Sequence, residues 1–391
     1  MPVVESPNTK ARITSIDALR GLVIILMAVD HTRDFFTNVR FDPEDFTQGG
    51  TALFFTRWIT HFCAPIFVLL AGVSAGLMAD RKSTKDLSVF LLSRGLWLIF
   101  VELTIVSFGW QFNLGPSFVF ALQVIWVIGA SMIAMAALVW LPFWAISAVG
   151  LIIVLGHNLL DYGLFPAQSW SGPQPIWHII HNQGFTTDLG IPSLMLYPLL
   201  PWIGVMPLGF ALAKLFMLPD KQRSSALVRL GLFCMAMFVV IRLLNAYGAP
   251  QNWEPQSSIW FTLLDFVHAL KYPPSLTFLL MTIGPGLLFL AFADRWQHPM
   301  KDALIVFGRV PFFFYIIHIY FIHALAVGAA ELQGGAYQSL LVGFWQLPQG
   351  YGFDLWVVWC VWALVIATLL PACKWFCTLK SRRKDWWLSY L

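Results

Sequence analysis

Arg20 and His31 lie eleven residues apart in the run RITSIDALRGLVIILMAVDHTRDFF. On a helix that spacing is close to three turns, so both side chains leave on nearly one face, roughly 16 Å apart along the axis. Ionisable groups inside an apolar span cost about 2.5 kcal/mol or more and turn towards a bundle interior or a wet cavity. His31 adjoins Asp30 and has Asp34 one turn on. A carboxylate beside an imidazole fixes its tautomer and stabilises the imidazolium, as a general base requires. His31, with Asp30 or Asp34 orienting it, is therefore the candidate reaction centre. The bland alternative is a polar cluster that ties the first helix to its neighbours.

Other residues extend this pattern. Arg57 and His61 stand one turn apart on one helix face, and His61 is either a second base, an acceptor contact or an interfacial residue bonded to backbone. Arg94 sits two turns inside a third span, with Glu102 two turns further, and Arg309 opens a late span in the run FGRVPFFFYIIHIYFIH. Arg20, Arg94 and Arg309 at similar depth would form a receptor for phosphates; snorkelling towards headgroups is the alternative. His318 falls near mid-membrane, one turn beyond Tyr315, and is expected to point inward, its role as catalyst or scaffold open. Lys271, in LKYPPSL, either meets an acceptor or anchors at the interface. His178 and His181 lack a third ligand, and no metal site is expected. P-loop, serine-hydrolase, zinc-protease and C-x-x-C signatures are missing from the sequence.

These residues need a membrane scaffold. The chain of 391 residues is 58% hydrophobic and 11% charged, with a net charge of +4, against about 25% charged in soluble domains. Its mean hydropathy is +0.72. Five cysteines, mostly in apolar runs, argue against a disulfide framework. Apolar runs predict an all-α polytopic bundle of about ten spans, near 15–36, 53–79, 87–110, 117–140, 143–160, 191–216, 225–246, 274–293, 303–328 and 355–377. Pro65, Pro198 and Pro201 are expected to kink or break their spans, and Gly72 and Gly76 to allow close packing. Of the 24 lysines and arginines, only Arg33, Arg40, Arg57, Arg242 and Lys271 fall on the outer half, leaving 19 at the cytoplasmic side. This bias puts both termini in the cytoplasm. The polar first dozen residues and the charged span after them read as a first helix rather than a cleavable signal. The whole chain, 1–391, reads as one integral-membrane domain. Outer connections carry Trp170, Trp177, Trp253, Trp260 and Trp345, either an aromatic belt or a platform for a sugar ring.

The first helix, SIDALRGLVIILMAVDHTRDFF, together with HFCAPIFVLLAGVSAG, LKYPPSL and GRVPFFFYIIHIYFIH, resembles the membrane acyltransferase superfamily. Within it the chain is most similar to bacterial relatives of the heparan-alpha-glucosaminide N-acetyltransferase catalytic family, and its Arg-x10-His element is also similar to the acyltransferase-3 family. The resemblance implies a bacterial inner-membrane enzyme that takes an acetyl or acyl group from cytoplasmic acyl-CoA, the only co-substrate expected. The acceptor would be a hydroxyl or amine of a carbohydrate or glycolipid at the outer face. Arg20 and His31 match the motif's arginine and histidine, and Arg309 and His318 match the late run. The family's lysosomal pattern places its histidine in the first luminal loop. Residues 37–52 here contain none, so the resemblance moves catalysis to His31 or His61. Partners are then the bilayer, acyl-CoA and the acceptor, with no nucleic acid, and a homodimer is left open. A transporter of a small or lipid-linked solute is the rival class, since intramembrane Arg, Asp and His also mark solute pathways.

Overall fold

The structure, a computed structural model, describes residues 12–161, 174–334, 337–341, 347–383, 385 and 388. It is a helix bundle. α1 is Thr14–Phe36, α2 Phe46–Trp58, α3 Cys63–Ala79, α4 Thr84–Val101 and α5 Ser107–Gln111. Then come α6 Val124–Leu138, α7 Phe143–Gly156, α8 Gln174–Ile180, α9 Leu199–Leu212, α10 Asp220–Leu244 and α11 Ile259–Val267. The chain continues with α12 Leu276–Ala293, α13 Pro299–Arg309, α14 Pro311–Leu332, α15 Tyr337–Leu340 and α16 Leu355–Arg382. A lipid interior offers backbone groups no water, so helices that satisfy their own N–H and C=O groups are the natural solution.

Among the described residues, eight helical stretches are long and apolar enough to cross a membrane, against the ten spans expected. The other two expected spans are real helices that differ in kind. α1 is as long as a span but carries Asp17, Arg20, Asp30, Arg33 and Asp34. α6 is apolar but only 15 residues long. Lipid-facing character is plain on α4, where Val89, Leu92, Leu96 and Phe100 are exposed at helical spacing.

Two expectations are corrected. The span expected at 303–328 is two helices: α13 ends at Arg309, Val310 leaves the helical region and Pro311 starts α14. Proline at the first helical position sacrifices no hydrogen bond, so the apolar run hides this junction. Arg309 therefore closes a helix instead of opening one. The spans expected at 117–140 and 191–216 begin as strands, β1 Phe120–Leu122 and β3 Ser193–Met195, with β2 Gly184–Thr186 completing a small sheet. Its order is β1-β3-β2, β1 parallel and β2 antiparallel to β3. The expected breaks do occur. The 191–216 span changes from strand to helix at Pro198, the N-cap of α9, with Pro201 in the first turn. A 3-10 turn over Ile59–Phe62 interrupts the 53–79 span just before Pro65.

Glycine contacts fix the core. A Cβ on Gly72 would stand 2.1 Å from the Met206 carbonyl, so α3 and α9 pack backbone to backbone as expected. α13 meets α1 in the same way: a Cβ on Gly21 would stand 1.8 Å from the Leu304 carbonyl, and one on Gly308 equally close to that of Asp17. α1 is consequently enclosed by α3, α12, α13, α14 and α16. The start of α1 and the end of α16 share one end of the bundle, where Cys377 Sγ meets the Val306 carbonyl. This is called the proximal end below, and the other, where Thr37 pairs with Phe353, the distal end.

Candidate functional site

Arg20, Ile24 and Met27 follow one another at i, i+4 and i+7 on α1, and all three border a cavity of about 310 Å³ at the proximal end. The close seat of Gly308 on α1 brings the next residue, Arg309, to the same space. Arg94 of α4 and Lys380 of α16 complete the ring, so four cations and, among the described residues, no carboxylate border the cavity. Arg20 is held by Ser74 Oγ at 3.2 Å and by the Gly308 carbonyl and Asp17 Oδ1 at 3.4 Å each. Arg94 stands over the Phe312 ring at 5.9 Å. The three arginines expected to converge do so. Lys380 and Ser74 join them unforeseen: Ser74 lies in the run HFCAPIFVLLAGVSAG, but neither residue is singled out by type or spacing.

His31 continues the stripe at i+11. Its Nδ1 lies 2.8 Å from Nε2 of His318, whose own Nδ1 lies 2.9 Å from the Phe314 carbonyl. A carbonyl only accepts, so His318 Nδ1 donates to it. With both rings neutral, His318 Nε2 accepts and His31 Nδ1 donates. The lone pair of His31 is then on Nε2. Trp110 packs edge-on against His31 at 4.8 Å and Phe314 stacks on His318 at 4.9 Å, so both rings are fixed in place.

The carboxylates expected to orient His31 face elsewhere. Asp30 Oδ1 lies 2.9 Å from Arg33 Nη2, and Asp30 Oδ2 contacts Arg57. Asp34 Oδ1 lies 2.6 Å from the same Arg33 nitrogen. The reason is geometric. Buried arginines demand carboxylate partners, and the neighbouring histidine has a second ring to bond. Arg57 also approaches Glu44 at 3.8 Å, so its charge is committed to two carboxylates and not held open for a substrate. His61 is fully buried, with Nε2 2.8 Å from Glu44 Oε1, close in distance though not aligned as a hydrogen bond. It borders none of the cavities described here. Glu44, in the loop before α2, is a cluster member that the sequence did not single out. Burial pushes its carboxyl up, but the His61 ring and Arg57 outweigh that and hold it below the usual carboxylate range. Lys271 Nζ stands 3.9 Å from Asp30 Oδ2.

Beyond Met27 lies a second cavity of about 20 Å³, bordered by His31, Asp30, Lys271, Gln123, Thr60 and Tyr197 among others. Met27 and Val124 border both cavities. The ring of cations, the thin wall and the histidine pair thus lie in line along α1. A third cavity, of about 270 Å³, at the distal end is bordered by Arg33, Asp34 and Arg40.

The sequence profile described as heparan-alpha-glucosaminide N-acetyltransferase, catalytic, matches residues 12–241, more than half of the chain. The chain belongs to this family. It is a membrane-embedded member of the membrane acyltransferases, and the family is defined by a catalytic domain. No curated protein matches the chain. The matched interval contains Arg20, Asp30, His31, Asp34, Arg57, His61 and Arg94. Lys271, Arg309 and His318 lie beyond it, yet the fold of this family member returns Arg309 to the cavity of Arg20 and His318 to His31.

The remaining candidates are placed as follows. Trp253 donates to the Arg242 carbonyl at 2.6 Å, and Arg242 itself donates to the carbonyls of Phe266, Gln251, Asp265 and His268. Trp253 is thus a loop fastener and not a platform. Trp177 is buried, while Trp260 is exposed, donating to Thr51 Oγ1 at 2.9 Å. Trp170 and Trp345 lie outside the described residues. His181 Nε2 lies 2.8 Å from Asp161.

Proposed function

We propose that the protein is a transmembrane acyltransferase that moves an acetyl or acyl group from cytoplasmic acyl-CoA to a hydroxyl or amine of a sugar or glycolipid at the outer face. One observation carries this reading: the arginine-lined cavity and the His31–His318 pair lie on one stripe of α1, separated by Met27 and Val124. Phosphates of CoA would dock on Arg20, Arg94 and Arg309, with Lys380 beside them, because guanidinium groups offer paired donors to phosphate oxygens. The thioester end would reach the wall beside His31.

In the reaction, His31 Nε2 takes the proton of the acceptor hydroxyl or amine as the acceptor attacks the thioester carbonyl. His31 Nδ1 keeps its proton and its bond to His318, so the histidine partner orients the base as a carboxylate does in other sites. Acyl transfer to His31 itself, followed by attack of the acceptor, is the alternative chemistry. The acceptor would approach from the distal cavity past Asp34 and Lys271. The positive-inside bias supports a cytoplasmic proximal end.

Isothermal titration of the purified protein with acetyl-CoA tests the reading. Binding that weakens in Arg20→Ala is expected; no binding, or binding that Arg20→Ala leaves unchanged, would sink it. The family description names an α-glucosaminide, which is the first acceptor to offer, followed by neutral sugars.

A further inference from the structure

Gln123 stands apart from the groups described so far. It is 7% exposed, and its side-chain nitrogen Nε2 is buried without a hydrogen-bond partner. Leaving an amide donor unsatisfied costs about 1–3 kcal/mol, so such a group in a built site calls for an occupant. Gln123 borders the 20 Å³ cavity together with His31 and Lys271. A space of that size admits about one water-sized atom group. Whatever enters it meets the base, the amide and the ammonium together.

The surrounding fold holds Gln123 there deliberately. β1 ends at Leu122 and runs parallel to β3, with Leu122 opposite Met195. The Leu122 carbonyl accepts from the N–H groups of Leu196 and Tyr197 at 3.1 and 3.3 Å. The short sheet therefore delivers the residues after its two parallel strands, Gln123 and Tyr197, into one cavity. From the other side Glu102 accepts from the Trp126 N–H at 3.0 Å and faces the N–H groups of Gln123 and Ile125. Glu102 belongs to a π-helical turn, Glu102–Val106, the kind of helical irregularity that often accompanies functional sites.

We propose that Gln123 is a catalytic residue whose side-chain amide donates to the carbonyl oxygen of the donor thioester and stabilises the oxyanion formed beside His31. This rests on the acyl-transfer reading above. When the acceptor attacks, a bond forms from its oxygen or nitrogen to the carbonyl carbon, and the C=O π pair moves onto oxygen. The acceptor's proton passes to His31 Nε2. Gln123 Nε2–H holds the oxyanion, and Lys271 supplies the nearby positive charge. On collapse the pair returns, the C–S bond breaks, and the CoA thiolate leaves with the bonding pair and takes the proton from His31. Glu102 is a positioning residue that fixes the backbone from which Gln123 projects. A preorganised donor of this kind is worth about 100- to 1000-fold in rate, because it acts where charge develops.

The test needs no acceptor. The full chain in lipid nanodiscs is titrated by calorimetry with acetyl-CoA and with its trifluoromethyl-ketone analogue, whose hydrate mimics the tetrahedral intermediate. The wild type is expected to prefer the ketone by about 100-fold. Gln123→Leu should abolish that preference while acetyl-CoA affinity changes less than about threefold. Gln123→Glu, nearly the same size but an acceptor when ionised, should abolish it too, and decides the matter if the leucine variant does not fold. A wild-type preference that survives in the folded variant overturns the role of Gln123 alone. A wild type that binds neither ligand overturns the acyl-CoA reading and this inference with it.

Discussion

Two charged regions lie on α1, one at each end, and they use charge in opposite ways. At the distal end Asp30, Asp34 and Glu44 face Arg33, Arg57 and Lys271, three carboxylates against three cations around a buried His61. At the proximal end Arg20, Arg94, Arg309 and Lys380 border one cavity with, among the described residues, no carboxylate in its wall. Compensated charge ties elements together, here α1 to α2 and to the loop before α12. Gathered charge of one sign invites an anion. The difference teaches that a rare intramembrane ion is not in itself a ligand site. Whether it faces carboxylates or an open cavity decides.

The largest expected effect falls between the two regions. His31→Ala should lower turnover by about 100- to 10,000-fold, the range for loss of a general base, with acetyl-CoA affinity retained in calorimetry. His318→Ala should lower it less, and His318→Asn, which can still accept from His31, should recover part of the loss. Unchanged turnover in His31→Ala would detach the distal chemistry from the proximal ring.

Next comes the compensated cluster. Asp30→Ala leaves Arg33 with Asp34 and Arg57 with only the more distant Glu44, and should cost up to about 3–5 kcal/mol, read as a lower thermal midpoint in detergent. The double replacement of Asp30 and Arg57 should cost less than the sum of the two single ones. If Asp30→Ala melts like the wild type, the cluster is not structural and the contrast fails. In the proximal ring, Arg20→Ala should weaken acetyl-CoA about 10- to 100-fold, as for loss of a charged hydrogen bond of about 1.5–3 kcal/mol. Its thermal midpoint should fall less than that of Asp30→Ala, since Asp17 keeps Arg12 as a partner.

The smallest effect is a pH step. The Glu44 carboxyl is held below its ordinary value of 4.5 in the folded protein. Its contribution to stability is therefore complete above about pH 4.5 and is lost progressively as the pH falls towards the depressed native value. Thermal midpoints measured from pH 7 to pH 3 should fall more steeply for the wild type than for Glu44→Gln. Parallel curves would remove Glu44 from the cluster's balance.

Much of this contrast was legible in the sequence. Apolar runs marked nearly every long helix, and the Arg20–His31 spacing marked the central stripe. Arg94 and Arg309 were correctly expected to join Arg20, although Arg309 arrives at the end of α13 and not at the start of a span. The proline junction at Val310–Pro311 was invisible because the flanking residues are equally apolar. The strands β1 and β3 lay inside runs that read as helix, and Gln123, delivered by β1, had no local signal. Asp30 adjoins His31 in sequence and Asp34 lies one turn on, but this proximity did not reveal that Arg33 would claim both and Arg57 the first. Glu44, His61 and Lys271 meet only through folding, over separations no motif spans.

The wall formed by Met27 and Val124 carries one more consequence. A bundle hollowed from both ends would be a wire for protons, and a membrane that stores energy as a voltage could not tolerate it. A thioether and an isopropyl group border both the proximal cavity and the small cavity beside His31. On the proposed reaction, a thioester reaching His31 would have to pass these two residues, and the unbranched methionine is the more adaptable of the pair. Chemistry across the barrier and electrical insulation would then depend on the same two side chains.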